Sequence, residues 1–494
     1  MFQFHNSMNK LAILLLLFSG VCSATITAVG GTTAGPTSSS PMTFTYSPTP
    51  GNQMVAALPI ASNGTYPYCA DNNLQTVFPG PKVTDGSTQS LATFTSIAAS
   101  SATSYVCRWF SASNTTGMLE EFSGVQSVNP GLSTGCAGSL PGTCSGTGGS
   151  PSFSVTTEDN NDVVVCVLSN TTGTWSGNSG TLLQSVSSQP KTIMFTVTSA
   201  SPGSVTCSAT LTGGTLAWVG AAIELRTVTT SPTWKPVQIT PSGYPQIGFG
   251  CPRGSGVNNA LTCTFSVATV GSSHPLVLVM DDHKDVGSGV EVSITAVSDC
   301  ASLTAGACAS SINSWIGYGG SCNAVGFAAG APLYTDSVDC AYVLSSASGA
   351  NYITVTRSSN INNEPFSLVL FELSATGSAA VDNINAVGDN SVVTTHTMTG
   401  TSLVGSSDVI VQGFSGGANQ SVTSPYLLSV AYSHFNYALA LNTNSGVAPT
   451  WIGSTGAPAG GNAIALRLSG GAGSAHCAAC DLSLVLPPPF GETK

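Results

Sequence analysis

The sequence predicts an all-β fold, a tandem array of about four β-sandwich domains joined by Gly/Ser/Pro-rich linkers. Three observations lead there. A short phrase recurs four times, as "LEEFSG" (119–124), "IELRTV" (223–228), "FELSAT" (371–376) and "LRLSGG" (466–471). Each copy follows Thr- and Val-rich stretches with apolar residues at alternate positions, which is the periodicity of strands. Turn residues separate these stretches, and nothing beyond residue 24 sustains a helical stripe.

Taken in chain order, residues 1–24 read as a secretory signal peptide: Lys10, the apolar run "LAILLLLFSG", then small residues at Cys22 and Ala24. The run is about half of the ~20 apolar residues that span a bilayer, so no transmembrane anchor is expected. A first sandwich is predicted over 25–126, from "FTYSPTPGNQMVAAL" (44–58) through "SYVCRWFSA" (104–112) to the closing phrase. Residues 127–228 read as a disulfide-containing linker and a second sandwich, with "FSVTTEDNNDVVVCV" (153–167) and "SVTCSATLT" (204–212). Residues 229–376 read as a Pro-rich linker and a third, with "FSVATVGSSHPLVLV" (265–279), a Cys-rich insertion (299–322) and "NYITVTRSS" (351–359). Prolines 232, 236, 241, 245 and 252 favour a stiff, extended connection there. A fourth sandwich over 377–471 contains "HTMTGTSLVGSSDVIV" (396–411) and "VAPTWIGS" (447–454), and 472–494 is a tail with the apolar "LSLVL".

Side chains alternate along a strand, so Met118 with Phe122, Ile223 with Leu225, Phe371 with Leu373, and Leu466 with Leu468 are expected on the core face. Glu121, Glu224, Glu372 and Arg467 are then expected in solvent, where a change of sign is tolerated. This succession of a strand pair around "GN" (51–52), a central Val/Thr strand and a closing "φEφSG" is similar to tandem Ig-like or jelly-roll-like repeats of secreted and surface proteins of environmental bacteria. The later copies write "NN", "SS" and "GS" where the first has "GN". The resemblance implies an extracellular β-module and confers no activity.

Only 7% of residues are charged, against about a quarter in typical domains, and the net charge is −11. Without a cationic stripe, nucleic acid is not an expected partner. Fourteen cysteines follow the signal peptide, in even clusters: Cys69, Cys107, Cys136 and Cys144; Cys166 and Cys207; Cys251, Cys263, Cys300, Cys308, Cys322 and Cys340; Cys477 and Cys480. In an exported chain they predict disulfides, with neighbours paired inside each cluster. "CAAC" (477–480) has no second CxxC for a zinc site and no βαβ unit for redox work, so it reads as a small disulfide loop.

The strongest polar cluster is "MDDHKDVGSGVE" (280–291), where Asp281, Asp282 and Asp285 offer hard oxygen ligands for Ca²⁺, the one cofactor the sequence suggests; a solvated loop is the alternative. No catalytic constellation emerges. Glu120 and Glu121 are neighbours on a strand and diverge, which a glycosidase pair cannot do. His274, His283, His396, His434 and His476 stand in unlike contexts, without "HExxH" or "GxSxG". An enzyme is therefore not expected. Trp109, Trp175, Trp234, Trp315, Tyr318 and Trp451, with Tyr66 and Tyr68, would suit either a core or a sugar-stacking surface. The fourth sandwich lacks Lys, so a general isopeptide scheme fails. Sequons stand at Asn63, Asn114, Asn170 and Asn419.

Between residues 25 and 493 the only lysines are Lys82, Lys191, Lys235 and Lys284, leaving sheet edges weakly defended by charge. The expectation is a secreted structural or adhesive protein of the cell surface that forms filaments by pairing strands with copies of itself or other surface proteins. Residues 25–40 or 481–494 would be the donated strand. The alternative is a carbohydrate-binding or recognition protein, assisted by calcium.

Overall fold

The computed structural model describes residues 25–469 apart from short internal stretches, the longest being 243–260 and 399–407. The described residues are strands and turns with no helix. The chain divides at residues 231 and 232 into two compact units.

The first unit opens with β1 (Thr27–Thr37), β2 (Met42–Thr45), β3 (Gln53–Ile60), β4 (Tyr68–Asp71), β5 (Thr76–Thr84), β6 (Ser90–Ile97), β7 (Ser104–Arg108) and β8 (Thr115–Ser123). These form an eight-stranded sheet in the order β1-β8-β3-β6-β5-β4-β7-β2. A second group follows: β9 (Ser127–Asn129), β10 (Thr143–Thr147), β11 (Ser152–Thr157), β12 (Asp162–Asn170), β13 (Thr174–Asn178), β14 (Thr181–Val186), β15 (Lys191–Ser199), β16 (Gly203–Thr212) and β17 (Ala217–Arg226). It splits into one sheet ordered β10-β17-β12-β15-β14, with β9 also on β17, and another ordered β11-β16-β13.

The second unit begins with β18 (Lys235–Pro241), β19 (Thr262–Ser266), β20 (Leu276–Lys284), β21 (Ile294–Cys300), β22 (Ala324–Ala328), β23 (Tyr334–Val343), β24 (Tyr352–Arg357) and β25 (Phe366–Ser374). Their sheets run β18-β25-β20-β23-β22 and β19-β24-β21. The last group is β26 (Ser378–Thr397), β27 (Asp408–Ser415), β28 (Ser421–Val422), β29 (Leu427–Tyr432), β30 (Phe435–Thr443) and β31 (Thr450–Ser469), ordered β26-β31-β27-β30-β29 with β28 on β31. Every described pairing is antiparallel, and in all four groups the closing strand lies between an early edge strand and an inner strand, as β1-β8-β3, β10-β17-β12, β18-β25-β20 and β26-β31-β27.

The recurring phrase lies on β8, β17, β25 and β31, each an inner strand flanked on both sides. Its faces differ from expectation. Leu119 packs into the core with Phe44, Met54 and Phe94, and Glu121, two residues on, shares that direction. Met118 and Phe122 turn outward and are buried against Val163, Val165, Ile223 and Leu225 of the second group. Likewise Leu368 and Leu370 face the core of the third group, and Glu372 lies on their side. Glu121, Glu224 and Glu372 are buried rather than solvated. The reason is that these sheets are covered on both faces, which also explains unbroken apolar runs such as "VVVCVL" on β12 and "LVLVM" on β20.

Three segments read as linker or spacer are strands. Residues 27–37 form β1, pairing with β8 from Thr27↔Ser123 to Thr37↔Thr115, so the 25–40 donor segment is already used within the first unit. Thr143–Thr147 pairs with β17, and Lys235–Pro241, inside the Pro-rich stretch, pairs with β25. Each stands early in its group, β1 and β18 as the first strand and β10 after the three-residue β9, and each ends a sheet. An edge strand has one ladder partner, so Gly and Pro cost less there and the segment resembles a linker in composition.

Candidate functional site

In three of the four groups a buried carboxylate occupies the closing strand near one end of the core. Glu121 Oε1 accepts the Thr49 N–H (3.1 Å) and the Asn52 amide (2.5 Å), and Oε2 accepts the Tyr46 hydroxyl (2.8 Å). Burial would raise this carboxyl, but the bonds from Asn52, Tyr46 and Thr49 outweigh it and hold it below the usual range. Glu372 plays the same part: Oε1 accepts the Gly271 N–H (2.8 Å) and contacts His274 Nδ1 (2.5 Å), and Oε2 accepts the Gln238 amide (2.5 Å). In both cases the carboxylate ties down the turn entering the next inner strand. "GN" at 51–52 matters because Asn52 supplies a donor to Glu121 and Gly51 adopts a φ of 84°.

Arg467 inverts the arrangement. It lies 3.7 Å from Asp382, and Asp408 sits beside them on β27. The Asp408 carboxyl is pushed up to about 7, by burial first, then by its hydrogen bond with Asp382 and that group's charge, with Arg467 opposing.

Asp281 and Asp282 are both buried and diverge as consecutive strand residues must. Asp282 turns to the interior and pairs with Arg357, whose guanidinium lies 4.4 Å above the Phe366 ring. Asp281 turns outward, where its Oδ2 accepts the Asn436 N–H of β30 at 3.2 Å. The two carboxylates therefore do not converge on one point, and Asp285 lies outside the described residues. Among the described residues no group of three or more His, Cys, Asp or Glu is placed to hold a metal ion.

His274 and Glu372 resemble half of a nucleophile-activating arrangement. Ser346 is nearby, but its hydroxyl donates to the Gly271 carbonyl (2.6 Å) and accepts the His274 backbone N–H (3.1 Å), so it serves the turn rather than the ring. His396 is buried with Nδ1 at 2.8 Å from Asp389 and Nε2 at 3.0 Å from the Ala457 carbonyl, which leaves neither nitrogen for a ligand. The side chain of His283 is not among those described, and His434 and His476 lie outside the described residues.

The indoles of Trp109, Trp234, Trp315 and Trp451 are buried, and Trp451 stacks on Phe414 at 4.8 Å. Trp175 donates to the Lys191 carbonyl (2.9 Å). These rings build cores and offer no open stacking surface. Asn170 is also buried, its amide donating to Ala217 O and accepting the Thr172 N–H (2.8 Å), so that sequon is closed in the folded chain. Asn114 is exposed.

Disulfides join Cys69 to Cys107, Cys136 to Cys144, Cys166 to Cys207, Cys300 to Cys308, and Cys322 to Cys340. Cys263 is also disulfide-bonded, and Cys251, Cys477 and Cys480 lie outside the described residues. The insertion at 299–322 is held by two of these bonds and by Asp299, which accepts from Ser311 Oγ (2.7 Å) and the Asn313 N–H (2.9 Å). It presents Leu303, Ile312 and Ile316 to solvent. No family model matches the chain, and no curated protein matches it.

Proposed function

We propose that the chain is a secreted structural or adhesive protein of the extracellular space, an array of four β-sandwich domains that assembles by pairing strands between molecules. The observation that carries this reading is the state of the sheet edges. Of the strands that end a sheet, only β18 holds a lysine, none holds an arginine, and only β1 and β18 hold a proline. The described arginines lie on inner strands or in ion pairs, as Arg226 does with Asp159. Edges of this kind are templates for a further strand. β14 reads "TLLQSV" with Leu182 half exposed, and β26 runs 20 residues with Val392 and Val393 in solvent.

With 25–40 occupied as β1, the donor falls to the tail 481–494, whose "LSLVL" alternates as a strand does. Among the described residues, Glu121, Glu372 and His274 are bound to the protein's own turns, and Asp281, Asp282 and His396 to its own strands, which agrees with a scaffold. Negative-stain microscopy of the purified chain over a range of concentrations, beside a chain ending at residue 480, tests this. Filaments or end-to-end oligomers are expected of the full chain and not of the shortened one. Isolated monomers at every concentration would remove the filament reading.

A further inference from the structure

In both units sheets of two neighbouring groups pack face to face. In the first unit β17 lies on β5 and β6; in the second β31 lies on β22 and β23. The first seam is largely apolar, built from Val55, Leu91, Met118, Val165, Ile223 and Leu225. The second carries acid at an equivalent point. Glu121, Glu224 and Glu372 pair with Met54, Val164 and Leu276 respectively, so Asp281 takes the place that Pro59 and Ser169 hold in the first unit.

Asp281 is wholly buried on β20, opposite Ser367 of β25, and Asp336 of β23 shares its face. Across the seam the Asn436 N–H donates to Asp281, and Ser415 Oγ of β27 donates to Asp336 Oδ1 (2.9 Å) and to the Asp282 carbonyl (3.2 Å). A Cβ on Gly413 of β27 would stand 3.0 Å from Asp281 Oδ1, so the carboxyl lies directly against that strand. Among the described residues, the titratable groups acting on Asp281 are Asp336 from β23, Tyr437 from β30 and Asp282 from its own strand. Asp282 faces the other way and is neutralised by Arg357. The polar groups of β25 and β27 at the seam, Ser367 and Ser415, do not titrate.

An ionised carboxylate in such a place is penalised heavily unless paired with a cation, whereas a neutral acid is not. We propose that the contact between the third and fourth strand groups is a proton-controlled joint, held while Asp281 beside Asp336 is a neutral acid and loosened when it ionises. Burial, and then repulsion from Asp336 and Asp282, push the Asp281 carboxyl well above the usual carboxylate range, against the pull of the Asn436 N–H. The sign follows. A raised value in the joined state means that the stabilisation is full below the ordinary Asp pKa of about 3.9 and is lost as pH rises through the seam value. The joint operates whether or not the chain polymerises.

Hydrogen exchange of the full chain, corrected for intrinsic rates, tests it at pH 5 and pH 8 on peptides covering β27 and β30. Protection is expected to fall by up to about tenfold per unit of pH between the ordinary Asp value of about 3.9 and the seam value, and to become independent of pH in Asp281→Asn. Equal protection at both pH values in the unchanged protein would overturn the joint, as would an undiminished loss in Asp281→Asn. Should that variant fail to fold, infrared spectroscopy of the unchanged chain decides: a protonated-carboxyl stretch persisting at pH 7 is expected, and its absence refutes the proposal.

Discussion

Glu121 accepts bonds from three residues of the turn between β2 and β3 and is almost fully enclosed. Replacing it by Gln keeps the shape but turns one acceptor oxygen into a donor facing donors. We expect Glu121→Gln to cost about 1.5–3 kcal/mol in chemical denaturation, the usual worth of a charge-assisted bond. Because the carboxyl is held below its ordinary value, its contribution is present above about pH 4.3 and lost as pH falls through the folded value. The variant should therefore lack that part of the acid limb. Spacing put this residue at the same place in each copy, and alternation put it opposite Met118 and Phe122. Which side was solvent was illegible, because both sides are buried.

At the scale of elements, the second unit depends on glycine where strands from two groups meet. A Cβ on Gly388 of β26 would collide with the Val325 carbonyl of β22, and one on Gly326 with the backbone of Ala459. Backbone cannot yield as a flexible side chain does. Gly388→Val is expected to destabilise by about 1–3 kcal/mol, as overpacked sites do, with hydrogen exchange rising first in β22 and β26. By contrast Gly51, with no atom near a Cβ, matters only through its positive φ. Strand pairs such as 153–167 and 265–279 were readable from alternation and turn residues, since local chemistry dictates them. The first strands were not, because edge position relaxes the need for apolar residues and so Lys235–Pro241 looked like a linker.

For the whole molecule, each unit holds its own paired sheets and its own cores. Segments 25–231 and 232–494, expressed apart under oxidising conditions, are each expected to unfold cooperatively in calorimetry. A failure of either to fold alone would show that the division at 231/232 is not a folding boundary.

What the amino-acid order determined by itself is the all-β character, the recurrence and the grouping of cysteines, because periodicity, turn chemistry and covalent pairing are local matters. What only the tertiary structure decided is which faces are wet. Asp281, Glu224 and Glu372 are polar letters in buried places: Asp281 lies where sheets of different groups cover one another, and Glu224 and Glu372 lie on the side of their own group's core, each through contacts between distant segments that no local pattern encodes.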